Sequence, residues 1–316
     1  MENHTETATL SPQDVARAAQ LLRAGHLVAM PTETVYGLAG DARKADSVAA
    51  IFAAKGRPAH NPLIVHVDSL EAAERFAALP NPARKLAQTF WPGALTLVAP
   101  LRNGHGLAQA VTAGLPTVAL RVPAHPLARA LLAEFGGPVA APSANQSGRI
   151  SPTNAAHVMA GLAGRIAAVL DGGPCPVGVE STILGFEGDE AVLLREGGIS
   201  AEQIAAVLGD WPRAHTGTKI TAPGQMLSHY APAAQVRLDV TAPRDDEIWI
   251  GFGPDCAGAA LSLSPSGDLD EAARTLFATL HQADAMRRPI AIAPVPERGV
   301  GAAINDRLRR AAAPRD

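Results

Sequence analysis

The chain has 316 residues, of which 47% are hydrophobic and 18% charged, and its net charge is −3 at pH 7. This composition is typical of a globular protein with a substantial core, in one large domain or two domains of ordinary size. A protein that coats nucleic acid usually carries a basic excess, so the charge predicts only local or indirect contact with nucleic acid.

Helix and strand patterns alternate along the first two thirds of the chain. Ser11-Pro12 predicts a helix start and Gly25 follows its expected end at Arg23, because hydroxyls cap helices, proline fits the first turn and glycine fits the stop. A strand at 27–30, a loop of hydroxyls at 31–38, a helix at 48–55 and a strand at 62–67 follow. Further helices are predicted near 70–79, 81–89, 126–134, 152–162 and 200–208, and further strands at 95–99, 117–122, 138–141, 166–170, 181–186 and 191–195. The mixed order predicts an α/β or α+β fold with a mixed sheet.

The pattern changes after Gly209. Residues 210–235 have no sustained hydrophobic period and contain several prolines and glycines, which predicts a linker. A strand at 247–252, a helix at 270–281 and a strand near 290–293 then predict a small α/β unit. We therefore expect a first domain at 1–209, a linker at 210–235 and an accessory domain at 236–316.

Several standard motifs are missing from the sequence. There is no phosphate loop of the G-x-x-x-x-G-K-[ST] type, no G-x-G-x-x-G, no H-E-x-x-H and no G-x-S-x-G. Cys175 and Cys256 lack metal-ligand spacing, and we expect a reduced, cytoplasmic protein. No apolar run approaches the ~18 residues of a membrane span, and the polar N-terminus does not resemble a secretory signal. If phosphates bind, side chains and an unusual backbone must hold them.

Cations surround one predicted helix-to-strand turn. Lys55 and Arg57 flank the glycine that ends the helix, Asn61 precedes Pro62, and His66 lies in the following strand. Cations at a helix C-terminus are favoured by the helix dipole alone, and a strand histidine is often an ordinary core group. The alternative is a phosphate site, because ligand crevices form at strand ends and cations bind phosphate strongly. Both interpretations stay open on these residues alone.

Other polar residues lie at predicted strand ends or within apolar strands. Arg121 lies in the strand at 117–122, where an unpaired charge is costly, so it predicts either an internal ion pair or a clamp for a substrate carboxylate. Ser143 and Asn145 follow a strand, Ser151 precedes a helix, and Arg195 ends a strand. Each has an ordinary explanation as a turn, a helix cap or a solvated arginine, and each could also face an anion.

Taken together, these segments resemble a known family. The segments PTETVYGL, KGRP, NPLIVHV, WPGALT, TVALRVP, APSAN, SPT, GVESTI and LREG follow one another between residues 12 and 208. They are similar to the threonylcarbamoyl-AMP synthases of the YrdC type. The segment SHYAP at 228–232, followed by a small α/β unit, resembles the longer two-domain form. The match implies a YrdC-like twisted mixed parallel and antiparallel sheet with flanking helices, plus a small Rossmann-like C-terminal domain.

The resemblance also implies an activity, in which L-threonine, bicarbonate or CO2, and ATP yield threonylcarbamoyl-AMP and pyrophosphate. A separate transferase then modifies an adenosine beside the anticodon of tRNA, so contact with tRNA itself is expected to be indirect or weak. By the same resemblance Mg²⁺ is bound with ATP, and Lys55 and Arg57 are the expected catalytic residues.

The resemblance assigns residues to both substrates. It places threonine against Thr34, His66, Arg121, Ser181 and the backbone of Ala141. It places ATP against Lys55, Arg57, Asn61, Thr117, Ser143, Asn145, Ser151 and Arg195, with His229 and Tyr230 of the linker expected to touch the nucleotide or close the pocket.

Two other functions are considered. One is a module that binds structured RNA through the Lys55–Arg57 concavity, which the acidic balance and the 4% aromatic content disfavour. The other is carbamoyl transfer to a different acceptor, as in the related domain of hydrogenase maturation proteins. Those proteins add zinc-finger-like cysteines and an acylphosphatase unit, which two isolated cysteines do not provide.

Overall fold

A computed structural model describes residues 6–216 and 229–314. The helices are α1 (Val15–Arg23), α2 (Ala45–Lys55), α3 (Leu70–Ala73), α4 (Asn81–Phe90), α5 (Pro126–Phe135), α6 (Ala155–Leu162), α7 (Ala201–Leu208), α8 (Leu269–Ala285) and α9 (Gly301–Ala312). The strands of the first part are β1 (Ala8–Leu10), β2 (Val28–Met30), β3 (Gly37–Asp41), β4 (Ile64–His66), β5 (Leu95–Pro100), β6 (Thr117–Arg121), β7 (Val139–Ala140), β8 (Ala168–Leu170), β9 (Thr182–Glu187), β10 (Glu190–Arg195) and β11 (Arg213–Ala214). Those of the second part are β12 (Val236–Arg237), β13 (Ile248–Gly251), β14 (Leu261–Ser262) and β15 (Ile290–Ile292).

The first part of the chain forms one mixed sheet. Its strand order is β1-β8-β2-β3-β7-β4-β6-β5-β9-β10-β11. Parallel pairs such as β4 with β6 and β5 with β9 alternate with antiparallel pairs such as β3 with β7 and β5 with β6. The predicted mixed sheet is therefore confirmed.

Helices cover both faces of this sheet. Ala29 of β2 belongs to a core that includes α2, α4 and α6, whereas its neighbours Val28 and Met30 belong to a core that includes α1 and α5. Successive side chains of a strand point to opposite faces, so these two cores lie on opposite sides. The loops that carry the polar residues follow the strand ends, between the two helix layers.

The second part forms a smaller sheet, with strand order β12-β15-β13-β14 and all pairs parallel. Helix α8 connects β14 to β15, as expected of a Rossmann-like unit. Its core contains Ile250, Phe277 and Leu308, and it also takes in Val35 and Val179 from loops of the first part. The small sheet therefore packs directly against loops of the large one.

Several predicted elements differ from the observed ones. The helix expected at 70–79 ends at Ala73, because the following segment pairs through Ala77 with Leu101, the residue just after β5. The helix expected at 152–162 begins at Ala155, and Asn154 rather than Ser151 caps it. The predicted loop at 31–38 passes into strand β3, whose small residues give no alternating pattern.

Other elements were not predicted, among them β1, β11, β12, β14 and α9. Apart from β1 and α9, these are only two residues long, which is too short for a hydrophobic period to develop. Within 6–216 and 229–314, no helix combines the length and apolar character needed to cross a bilayer.

Gly197, which follows β10, lies in close contact with the backbone of residues 180–182. A Cβ there would lie 2.2 Å from the backbone nitrogen of Thr182 and 2.5 Å from the carbonyl oxygen of Glu180. We expect Gly197→Ala to lower the free energy of unfolding by about 1–3 kcal/mol, because backbone must move to admit the methyl group. Gly161→Ala is the matched control, since nothing lies within 4 Å of its added Cβ. Urea unfolding measures both variants, and equal stabilities would contradict the expectation.

Candidate active site

A cavity opens where the loops of the large sheet meet the second part of the chain. Its enclosed space is small, about 50 Å³. Its lining contains many of the residues predicted from the sequence: Thr34, Arg57, His66, Arg121, Ala141, Ser143, Ser181, Arg195, His229 and Tyr230. The structure thus brings together residues that lie far apart in the sequence.

The other predicted residues lie behind or beside this lining. Lys55 and Asn145 support its floor, and Ser151 contacts Glu180, which does line it. Asn61 is buried, and its carbonyl oxygen accepts a hydrogen bond from Arg57. Thr117 begins β6, at the opposite end of the strand from Arg121, and is not part of the lining.

Lys55 connects the end of α2 to the loop after β7. Helix α2 ends at Lys55 because Gly56 adopts the left-handed conformation, with φ of 61°. The Nζ atom donates to the carbonyl oxygens of Ser143 at 2.5 Å and Asn145 at 2.6 Å. Burial, and then the neighbouring Arg57, hold the pKa of Lys55 well below its usual value. The lysine therefore fixes the loop after β7 against the end of α2.

Two arginines of the lining are held by neutral groups. Arg57 donates to the carbonyl oxygens of Pro62 at 2.8 Å and Asn61 at 3.3 Å. Arg195 donates to the carbonyl oxygen of Ser181 through Nη2 at 2.8 Å and Nε at 3.1 Å. Burial lowers the pKa of Arg57 to about 10, so it remains a cation at neutral pH. Because neither arginine forms an ion pair within the described residues, their charge is available to an anion.

Arg121 has a carboxylate partner and still reaches the cavity. Its Nη2 donates to Glu33 at 2.5 Å, its Nη1 to the hydroxyl of Thr34 at 2.9 Å, and its Nε to the carbonyl oxygen of Gly93 at 3.2 Å. The internal ion pair considered from the sequence is therefore present. A guanidinium has more N–H donors than these contacts use, so a ligand carboxylate can bind the same group.

The histidines of the lining are neutral. Burial, followed by the charge of Arg121, lowers the pKa of His66 to about 3, and its Nδ1 has no hydrogen-bond partner within the described residues. Burial also holds the pKa of His229 well below its usual value, and Lys55, Arg57 and Arg195 lower it further. Neutral imidazoles can donate or accept a hydrogen bond without adding charge.

The sequence analysis missed several residues that organise this cavity. Thr96 shares a hydrogen bond of 2.7 Å with the hydroxyl of Ser181 and thereby orients it. Glu33 and Glu180 line or border the cavity as buried carboxylates. The two carboxylates belong to the segments PTETVYGL and GVESTI. An acidic residue beside an apolar strand is the sequence pattern that could have identified them. Arg307, the partner of Glu180, belongs to a run of basic residues, a pattern that is typical of an exposed surface.

Comparison with known proteins identifies the class. Residues 20–197 match the family described as telomere recombination, whose model covers the Sua5, YciO and YrdC proteins, and residues 199–313 match the C-terminal domain of threonylcarbamoyl-AMP synthase. The chain is an enzyme of the Sua5 type, with both domains of that family.

Individual relatives specify the family further. The chain is 43% identical to the threonylcarbamoyl-AMP synthase of Bacillus subtilis, over 97% of this chain and 95% of the relative. It is 42% identical to that of Pyrococcus abyssi, over 93% and 92%. The crystal structure of Pyrococcus abyssi Sua5 complexed with L-threonine has a TM-score of 0.88 at 38% identity and covers 97% of both chains. The chain belongs to the threonylcarbamoyl-AMP synthase family.

The ion pair of Glu33 with Arg121 makes part of the stability depend on pH. Burial alone would raise the pKa of Glu33, but the Arg121 guanidinium outweighs it, so the pKa lies below the usual 4.5. A lowered pKa adds stability that is present above 4.5 and is lost as the pH falls through the folded-state pKa. We expect Glu33→Gln to lower the thermal midpoint at neutral pH, and the deficit to shrink as the solution is acidified below 4.5.

Thermal unfolding followed at several pH values measures this deficit. Glu71→Gln, at an exposed position on α3, is the control and is expected to leave the midpoint unchanged. A deficit for Glu33→Gln that stays constant with pH would show that the ion pair does not carry the effect.

Proposed function

We propose that this chain is an L-threonylcarbamoyladenylate synthase, which converts L-threonine, bicarbonate or CO2, and ATP into threonylcarbamoyl-AMP and pyrophosphate. The observation that carries the proposal is one cavity with two kinds of polar wall. Within the described residues Arg57 and Arg195 form no ion pair with a carboxylate, and Arg121 with His66 presents a group suited to an amino acid. Membership in the family supports the same reaction.

Threonine occupies the side of the cavity formed by β4 and β6. His66 and Arg121 are register partners in this parallel pair, so both side chains lie at one strand end. The free donors of Arg121 bind the threonine carboxylate, and the neutral His66 bonds the amine or hydroxyl. Thr34, Ser181 and the backbone of Ala141 complete this side.

ATP occupies the side between α2, β7 and β10. Arg57 and Arg195 neutralise phosphate charge, and each charge-assisted bond contributes about 1.5–3 kcal/mol. Lys55 holds the loop of Ser143 and Asn145 in place, and a phosphate that reaches its Nζ would replace one carbonyl contact. Asn61, Thr117 and Ser151 are assigned to ATP by family resemblance, with His229 and Tyr230 on the linker side.

The chemistry asks for positioning rather than for a protein nucleophile. The threonine amine adds to CO2, losing a proton, and gives a carbamate. A carbamate oxygen then attacks the α-phosphorus while the bond to the β-phosphate oxygen breaks and pyrophosphate leaves. Holding the two substrates in one cavity and neutralising phosphate charge are the main contributions of the protein to such a transfer.

Mg²⁺ is proposed to arrive with ATP. No group of three or more histidine, cysteine, aspartate or glutamate side chains suited to a metal ion occurs within residues 6–216 and 229–314. The cavity wall near Arg57 and Arg195 is cationic, which fits a metal held mainly by phosphate oxygens. When bound, the ion would neutralise charge on the leaving pyrophosphate.

The linker is proposed to exclude water, since a carbamate is labile in water. His229 and Tyr230 from its C-terminal end are buried against the cavity, while residues 217–228 of the predicted linker lie outside the described residues. The predicted boundaries at 209 and 235 remain predictions.

The product is proposed to pass to a separate tRNA threonylcarbamoyl transferase in the cytoplasm. Direct RNA binding through Lys55 and Arg57 is disfavoured, because their side chains are buried, with relative exposures of 3% and 9%. Groups so placed reach a small ligand within the cavity better than a phosphate backbone at the surface.

Pyrophosphate release tests the proposed reaction. With ATP, bicarbonate and Mg²⁺, we expect release that depends on L-threonine. We expect Lys55→Ala to reduce kcat/KM at least ~100-fold, because the two buried hydrogen bonds that fix the loop after β7 are lost. Lys85→Ala, at an exposed position, is the control. Release that is independent of threonine in the wild type would contradict the proposal.

Arg121→Lys tests the threonine side separately. Lysine keeps the charge opposite Glu33 but cannot bind a carboxylate through two parallel N–H groups. We expect the KM for threonine to rise about tenfold or more, with the KM for ATP little changed. Arg129→Lys, exposed on α5, is the matched control. Equal changes in both KM values would remove Arg121 from the threonine site.

A further inference from the structure

A buried arginine of the second part of the chain reaches the wall of the cavity. Arg307 lies on α9, and its side chain is fully buried. Its Nε donates to Glu180 at 2.8 Å and its Nη1 donates to Asp306 at 2.8 Å. Glu180 lines the cavity, so a charge from the C-terminal helix is directly attached to the lining.

Arg307 determines the state and position of this carboxylate. Burial alone would raise the pKa of Glu180, but Arg307 and then Arg195 outweigh it, so the pKa lies below its usual value and the group is ionised. The other oxygen of Glu180 accepts a hydrogen bond of 2.6 Å from the hydroxyl of Ser151. Arg307 and Ser151 therefore hold the two carboxylate oxygens in a fixed orientation.

Arg307 also holds the aromatic part of the wall. Its guanidinium carbon lies 5.3 Å from the centre of the Tyr230 ring, a distance typical of a cation–π contact. Tyr230 packs in turn on Phe277 of α8, with ring centres 5.6 Å apart. The ring thus lies between the arginine and the core of the small sheet.

Two further contacts tie the same wall to α8. Gly178 has φ of +79°, and a Cβ there would lie 2.4 Å from the Cα of Arg274. His281 lies with Nε2 3.2 Å from the carbonyl oxygen of Ser151. The loop that carries Glu180 and the segment that carries Ser151 are therefore both fastened to the second part of the chain.

Resting on the proposed function, we propose that Arg307 is a positioning residue for ATP, and that the C-terminal unit is thereby a structural part of the catalytic cavity. Arg307 acts by fixing Glu180 and Tyr230 beside Arg195. The carboxylate clamp of the threonine side does not depend on it, because Arg121 is fixed by Glu33 and Thr34 of the first part.

Three variants and a control test this role. Arg307→Met removes the charge at similar length, Arg307→Lys keeps the charge without the planar fork, and Gly178→Ala moves the Glu180 loop without changing any charge. Arg309→Met on the same helix is the control, since Arg309 is exposed and pairs with exposed Glu297. Initial rates of pyrophosphate release are measured against ATP and against threonine, together with ATP binding by calorimetry.

We expect the KM and the dissociation constant for ATP to rise about tenfold or more in Arg307→Met and Gly178→Ala. The KM for threonine is expected to rise less, because Ser181 follows Glu180 but the carboxylate clamp Arg121 is held by the first part. Arg307→Lys is expected to recover part of the loss, and Arg309→Met to match the wild type. A merely structural role would lower the active fraction, and hence kcat, without raising the KM for one substrate selectively.

Unchanged ATP affinity in folded Arg307→Met, or equal changes in both KM values across the variants, would overturn the inference. If Arg307→Met does not fold, Arg307→Lys and Gly178→Ala decide it by the same comparison of KM values. Absence of threonine-dependent release in the wild type would instead count against the proposed function, whereas ATP calorimetry would still decide the role of Arg307.

Discussion

The site depends on buried positive charge that forms no ion pair with a carboxylate in residues 6–216 and 229–314. Lys55, Arg57 and Arg195 are all buried, and their described hydrogen bonds go mainly to backbone carbonyl oxygens. An unpaired buried charge is costly, and a fold that keeps several of them close together requires strong support from the surrounding backbone. That support is visible in the end of α2, the loop after β7 and the start of β9. Such an arrangement is stabilised when an anion enters, which supports the proposed binding of ATP.

The two buried carboxylates at the cavity, Glu33 and Glu180, each form an ion pair with an arginine. Glu33 is paired with Arg121, and Glu180 is paired with Arg307 and also interacts electrostatically with Arg195. The two pairs also divide the cavity. One is built within the first part of the chain, beside the proposed threonine side, and the other joins the first part to α9. The proposed function places one substrate beside each of these ion pairs.

Much of this could be predicted from the sequence. The mixed sheet, the small α/β unit and most helices follow from hydrophobic period and from glycine and proline, as the capping box at Ser200 and Gln203 illustrates. The cavity residues came from the family segments, and most of them do converge. Lys55 shows what the sequence could not predict. Its sequence context indicates a cation near a ligand, but not that its Nζ donates hydrogen bonds to the carbonyl oxygens of Ser143 and Asn145.

The remaining features depend on tertiary contacts that leave no local pattern. Arg307 stands beside two arginines with exposed or partly exposed side chains, and only the packing of α9 against the first part distinguishes it. The end of α3 at Ala73 is likewise decided by the pairing of Ala77 with Leu101 rather than by helix propensity. Glycines such as Gly178 and Gly197 have roles set by how closely another segment approaches.

The central claim is that one cavity holds threonine and ATP side by side, and a crystal structure with L-threonine and a non-hydrolysable ATP analogue tests it most directly. The account predicts the threonine carboxylate on Arg121, the phosphates on Arg57 and Arg195, and the threonine amine turned toward the α-phosphate. Phosphates bound away from Arg57 and Arg195, or a threonine carboxylate that does not contact Arg121, would contradict it.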